Sequence, residues 1–333
     1  MDPVAQLRLT RELIDIDSTT GREGDAGRWL AATLGGRGYR VTEQPVVPGR
    51  FNLFARTGDP VVVLSTHFDC VPPFFPSREE GGRLYGRGAC DAKGTLVAQI
   101  AAADRLRAMG ESRVGLLFLF GEERGSEGAR AANAIAPGSR FLVNGEPTGN
   151  RLASATRGVY RARLKASGRT AHSSRPELGE SAIEKLVDAL VAARAIDWPA
   201  DSDMGRTFYV AGLLSGGLAP NVVPPAAEAE LMFRTIGSHD AVRSLLEARL
   251  GHLVSVEDVL VVPPVRLHTL PGFETEAFSF TTDVPFLDRW GQPLLLGPGS
   301  VTEAHTADEW VEIADLHRAV DLYERIIRAL LTV

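Results

Sequence analysis

Apolar runs of strand length recur along this chain, and most lead straight into an imidazole or a carboxylate. Val61-Val62-Val63-Leu64 leads to His67, and Val114-Gly115-Leu116-Leu117-Phe118-Leu119-Phe120 leads to Glu122 and Glu123. Phe141-Leu142-Val143 leads to Glu146, and Pro293-Leu294-Leu295-Leu296 precedes His305. Asp91 opens a helix after Gly86-Arg87-Gly88. Short continuous apolar runs alternating with helices imply a parallel sheet covered on both faces. In such an open α/β sheet, ligands bind in the crevice outside the carboxyl ends of the strands. Two histidines and four carboxylates gathered there supply donors for two metal ions and leave one carboxylate over as a base.

With 333 residues the chain is long enough for two domains. Its formal net charge of -6 argues against a basic face, so nucleic acid is not an expected partner. No apolar run approaches the ~20 residues of a membrane span. Met1-Asp2-Pro3-Val4 does not begin a basic stretch followed by an apolar one, so no signal peptide is read. The two cysteines, Cys70 and Cys90, form neither a zinc-type pair nor a disulfide framework. They read as small buried residues near the sheet, and a reducing, cytoplasmic location is the expectation.

The pattern divides the chain. Residues 1–157 alternate strand and helix, with a long alanine-rich helix over 94–109 that stops at Gly110. From 158 the signals change to β-α-β-β-α-β, the ferredoxin-like order, which ends at Pro263-Pro264. Residues 263–333 return to the first pattern, with a strand over 294–296 and a last helix over 316–331. The expected architecture is therefore α/β, a mostly parallel sheet with helices on both faces, carrying an inserted α+β lid domain over 158–262.

Several stretches then carry a resemblance: Ser65-Thr66-His67-Phe68-Asp69, Gly86-Arg87-Gly88-Ala89-Cys90-Asp91-Ala92-Lys93-Gly94, Gly121-Glu122-Glu123-Arg124-Gly125, Asn144-Gly145-Glu146-Pro147 and Leu296-Gly297-Pro298-Gly299-Ser300 with Ala304-His305 and Asp308-Glu309. Together they resemble the di-zinc amidohydrolases that include acetylornithine deacetylase, succinyl-diaminopimelate desuccinylase, aminoacylases and the carboxypeptidase G type. The resemblance implies a zinc-exopeptidase-like fold and two divalent metal ions, zinc with cobalt or manganese as substitutes. It implies that Asp91 bridges both ions, that His67 and Glu146 complete one site, and that Glu123 and His305 complete the other. Glu122 would then be the general base, and Asp69 would orient the His67 imidazole. In the lid, His172 matches an oxyanion donor that reaches the partner subunit of a homodimer. Asn221 and Arg234 match residues gripping a substrate carboxylate, Arg157 is a helper at the hinge, and Gly297 and Gly299 would let backbone approach the substrate.

The segment 296–309 looks most like acetylornithine deacetylases, so the expected substrate is an N-acyl amino acid. A desuccinylase, a hydrolase of carrier-linked lysine or ornithine, a dipeptidase, and a catalytically silent metal-stabilised binding protein are the alternatives. Ala92 stands where many relatives have methionine, and the chain is short for the family. His239, His252, His268 and His317 read as structural or exposed. No Gly-x-Ser-x-Gly elbow, phosphate-binding loop or dinucleotide fingerprint occurs.

Overall fold

The computed structural model describes residues 1–332, which form two compact units. One contains Met1–Ser154, Leu267–Glu276 and residues from 282 onward; the other contains Ala155–Arg266 and Ala277–Thr281. The second unit thus takes in 155–157, 263–266 and 277–281 beyond the expected 158–262. Backbone pairing explains this: Val265 and Arg266 lie opposite Thr156 and Ala155, and the Arg157 N–H donates to the Phe278 carbonyl at 3.0 Å.

In chain order the first unit begins with α1 (Pro3–Ile14), α2 (Gly24–Gly36), β1 (Arg40–Val47), β2 (Arg50–Arg56), β3 (Val62–His67), α3 (Lys93–Ala108), β4 (Val114–Leu119), α4 (Glu127–Ala132) and β5 (Phe141–Asn144). The second unit holds β6 (Gly158–Ser167), α5 (Ala182–Arg194), β7 (Phe208–Gly216), β8 (Ala226–Thr235), α6 (His239–Leu250) and β9 (Ser255–Val262). The chain returns through β10 (Gln292–Leu295) and α7 (Ile313–Thr332).

The first unit's main sheet has the order β1-β2-β4-β3-β5-β10. Strands β4, β3, β5 and β10 are mutually parallel, whereas β2 runs antiparallel to β4 and β1 antiparallel to β2. The connection at Pro48-Gly49, with Gly49 at φ +77°, is too short for a crossover and forces the β1–β2 hairpin. Side chains alternate between two cores. Val62, Leu64, Leu116 and Phe118 join α1, α2, α3 and α7 on one face, and Val63, Leu117 and Leu119 join α4, Leu287 and Trp290 on the other. Burial on both faces is why β3 and β4 read as unbroken apolar runs. Helix α3 is buried almost all round because α1 and α7 pack on it as well as the sheet, which suits its alanines.

Helix α4 is short and passes into a 3₁₀ turn at Asn133–Ile135. Helix α5 begins at Ala182, where the Ser181 hydroxyl caps the Glu184 N–H at 3.2 Å. The second unit is one antiparallel sheet in the order β7-β8-β6-β9, with α5 and α6 sharing its core, as the ferredoxin-like pattern requires.

Candidate metal centre

His67 is the last residue of β3 and is 1% exposed. Its Nε2 lies 3.1 Å from Asp91 Oδ1 and 3.8 Å from Glu146 Oε2. His305 Nε2 lies 3.3 Å from Asp91 Oδ2 and 3.0 Å from Glu123 Oε2. Asp91 therefore turns one oxygen to each imidazole, with Glu146 on one side and Glu123 on the other. One donor atom each from His67, Asp91 and Glu123 fall within 4.8 Å of one another. Glu146 Oε1 is buried with no hydrogen-bond partner. An orphaned buried carboxylate oxygen beside converging donors fits a cation, and the two-sided Asp91 fits a pair of them.

The electrostatics agree with that fit. Burial pushes the Glu146 carboxyl up to about 8, against the pull of His67. Burial also drives Glu122 well above the usual carboxylate range, with Glu146, Asp283 and Glu123 adding to it and His67 opposing. Burial works against charge on His67, yet Asp69, Asp91 and Glu146 outweigh it and hold the imidazole well above its usual value. Asp91 and Glu123 raise His305 to about 10. Burial opposes ionisation of Asp91, but the bonds from His305 and His67 win and keep it below the carboxylate range. The cluster gathers four carboxylates, Asp91, Glu122, Glu123 and Glu146, around two imidazoles, an excess of negative charge that suits cations.

The loop after β4 carries Glu122 and Glu123 in a tight turn flanked by left-handed residues, Gly121 at φ +75°, Gly125 at +108° and Ser126 at +58°. Asp69 organises it. Its Oδ1 accepts the Glu122 N–H at 3.0 Å, and its Oδ2 accepts the Glu123 N–H at 3.3 Å and the Thr20 hydroxyl at 2.9 Å. Against His67, the nearer group is the Asp69 main-chain carbonyl, 3.0 Å from Nδ1, with the carboxylate at 3.5 Å. Asp69 thus steadies the glutamate loop as well as the imidazole, and the N-terminal segment takes part through Thr20.

The glycines have a packing role of their own. A Cβ at Gly297 would stand 2.4 Å from the Glu146 carbonyl oxygen, and one at Gly299 would stand 2.6 Å from Cys90 Sγ. Their absence of side chain lets the β10 end close on Glu146 and on the Asp91 loop. Cys70 and Cys90 are both buried, and burial raises the Cys70 thiol to about 12. Three groups escaped sequence reasoning. Asp283 is 1% exposed with an unpartnered Oδ1, and burial raises it to about 7 beside this cluster. Arg87 and Glu309 form a buried ion pair at 2.7 Å. The only sequence signal for the pair is its position inside the motifs around Asp91 and His305.

The remaining candidates lie in the second unit. His172 is exposed; its Nδ1 lies 2.9 Å from the Ser174 hydroxyl and 3.2 Å from the Ser174 main-chain nitrogen, contacts that engage Nδ1 rather than Nε2. Asn221 is exposed next to it, its carbonyl accepting the Ser173 N–H at 3.0 Å. Arg234 stands on β8 opposite Phe208 and Val159, half-buried and without an ion-pair partner among the described residues. Arg157 is committed elsewhere: its guanidinium donates to the carbonyls of Met204 and Arg206 and lies over the Phe208 ring.

A sequence profile described as "Peptidase family M20/M25/M40" matches residues 63–329. A probable carboxypeptidase of Aspergillus clavatus is 36% identical over 98% of this chain and 82% of its own. Among solved structures, a tripeptidase from Staphylococcus aureus has a TM-score of 0.84 at 20% identity, covering 99% of each chain. A Bacillus subtilis protein described as a dinuclear metal-binding peptidase from the M20 family has a TM-score of 0.76 at 15% identity, again covering 99% of each chain.

Proposed function

Because the chain belongs to peptidase family M20/M25/M40, metal-dependent hydrolases of amide and peptide bonds, we propose that it removes the acyl group from an N-acyl amino acid with a free α-carboxylate. The observation that carries the reading is Asp91, one oxygen toward His67 and the other toward His305, with Glu122 buried under the influence of His67, Glu146 and Glu123. His67 and Glu146 would hold one cation, Glu123 and His305 the other, with Asp91 between them. The donor types favour zinc, with cobalt or manganese as substitutes. When bound, two divalent cations polarise the scissile carbonyl and make a water molecule acidic near neutrality.

The chain's own groups do the rest. Glu122 sits at the strand end where the water must approach, and its carboxylate takes the proton as the water oxygen attacks the carbonyl carbon. The same proton then passes to the amide nitrogen, the C–N bond breaks, and an acid and an amine leave. His172 offers its Nε2–H to the oxygen that gains charge in the tetrahedral state. Arg234, half-buried and without an ion-pair partner among the described residues, offers a planar two-point grip for the α-carboxylate, and Asn221 completes it. Arg157 is left out of this clamp, since both of its Nη atoms already donate to main-chain carbonyls. The lid acts from a second copy. Edge strand β7 exposes Val210, Leu213 and Leu214, an apolar edge suited to pairing with its own counterpart.

A second reading has a specific motive. The Aspergillus relative is described as a carboxypeptidase, and the C-terminal residue of a short peptide carries the same α-carboxylate beside its amide. One assay divides the readings: kcat/KM for N-acetyl and N-succinyl amino acids, their methyl esters, and dipeptides. The acylase reading expects the N-acetyl acid to lead and its ester to fail. Acid and ester turned over equally would remove the carboxylate clamp. A dipeptide far ahead would favour the peptidase.

A further inference from the structure

We propose that Glu309, held by Arg87, positions Asp91 and His305 against each other, so that two loops far apart in sequence are set as a single unit. The proposal rests on the reading of Asp91 and His305 as metal ligands. Glu309 is fully buried, and its Oε1 accepts the N–H groups of Gly88, Cys90 and Asp91 at 3.1, 2.9 and 3.0 Å. Three N–H groups of one short loop converge on a single oxygen, so the path of the loop into Asp91 follows the place of that carboxylate.

The other oxygen is fixed from the His305 side. Arg87 is 2% exposed and donates from Nη1 to Glu309 Oε2 at 2.7 Å. Its Nη2 donates to the Thr306 carbonyl at 2.9 Å and its Nε to the Pro73 carbonyl at 3.1 Å. Thr306 follows His305, whose backbone is left-handed at φ +61°, a conformation a non-glycine residue keeps only when its neighbours hold it. A connected path therefore runs from the Asp91 N–H through Glu309 and Arg87 to the residue after His305. Buried ion pairs are poor stabilisers, because desolvation offsets their attraction. Fold stability is therefore a weak reason for this pair, and geometry at the ligands is a better one. The guanidinium also cancels the extra negative charge that Glu309 would bring near Asp91.

Wild type, Glu309→Gln and Arg87→Lys are stripped with chelator and titrated with Co(II). Bound metal is counted by elemental analysis and followed by visible absorption, and circular dichroism is recorded on the metal-free proteins. Glutamine keeps one acceptor oxygen but turns an amide nitrogen toward Arg87; lysine keeps the charge but loses the fork. The wild type should take two ions. Both variants should fold and bind both ions more weakly, because Asp91 serves both, with the ion of Glu123 and His305 losing more, about 10–100-fold, since both ends of the path reach its ligands. Two ions bound by both variants with wild-type affinities would overturn the proposal. So would equal weakening of both ions together with lost helicity, which would make Glu309 a folding residue only. A wild type that binds fewer than two ions would overturn the dinuclear reading itself, so the two failures are distinguishable.

Discussion

Glu122 and Glu123 are neighbours in sequence, and their surroundings separate them. Glu123 faces the His305 imidazole at 3.0 Å, whereas burial among other carboxylates sets Glu122 well above its usual range. Glu122→Gln should therefore keep both ions and lose at least the ~10²–10⁴-fold that proton transfer contributes. Glu123→Gln should lose affinity for one ion. Elemental analysis beside kcat decides it, and the opposite pairing of losses would exchange the two roles. Asp69 makes a further claim. Both of its oxygens accept from N–H or O–H donors, so an amide nitrogen at either position meets a donor. Asp69→Asn should lower kcat about 10–100-fold, with a smaller loss for Thr20→Val. An unchanged kcat in Asp69→Asn would leave its carboxylate without a part in placing Glu122. The ligand types were legible in the sequence because metal chemistry restricts them to a few side chains at strand ends. The grip of Asp69 on two backbone N–H groups was not, since main-chain donors are the same at every residue. Asp283, Arg87 and Glu309 were missed for a related reason: a charged residue in a loop reads as solvated unless the fold is known to bury it.

At the scale of elements, most helices and strands were legible from their periods, with ends displaced by a few residues. Strand direction was not, because a buried antiparallel strand such as β2 has the same run of apolar residues as a parallel one. The short ladder of Arg78–Glu80, Arg83–Tyr85 and Trp310–Glu312 was also missed, its strands being too short to show a period. Two glycines test how the elements meet. At Gly297 a methyl group would stand 2.4 Å from the Glu146 carbonyl oxygen, so Gly297→Ala should push the β10 end from Glu146 and weaken metal binding as well as Tm. Gly35 lies in α2 with nothing within 4 Å of an added Cβ. Gly35→Ala should stabilise the protein by about 0.5–1 kcal/mol, the usual helix preference, with no change in kcat. Thermal melts with metal counts test the pair, and a neutral Gly297→Ala would show that β10 can retreat without moving the ligand.

For the molecule as a whole, the inserted ferredoxin-like unit was legible because its strand and helix order breaks the preceding alternation. The return of 277–281 to that unit was not, because it carries no hydrophobic period of its own. What the sequence leaves most open is why such a unit should be present at all. Exposure of Leu213 and Leu214 at 64% and 67% on an edge strand is a liability for a solitary chain and an asset for a paired one. A dimer formed there is the arrangement in which the exposed His172 is proposed to serve the site of the other copy. Wild type should sediment as a dimer, and Leu213→Glu with Leu214→Glu as a monomer that keeps its metal but loses turnover. Complementation then tells pairing from catalysis. His172→Ala retains the base and the metal centre, and Glu122→Gln retains the lid donor, so a heterodimer of the two inactive chains contains one site with both groups intact. Mixed under conditions that exchange subunits, they should recover up to half of the wild-type activity per heterodimer, because one of two sites is whole. Exchange is verified by mass spectrometry with one chain isotopically labelled. Verified heterodimers that stay inactive would place His172 in the site of its own chain or outside the reaction, and the exposed edge of β7 would then need another reason.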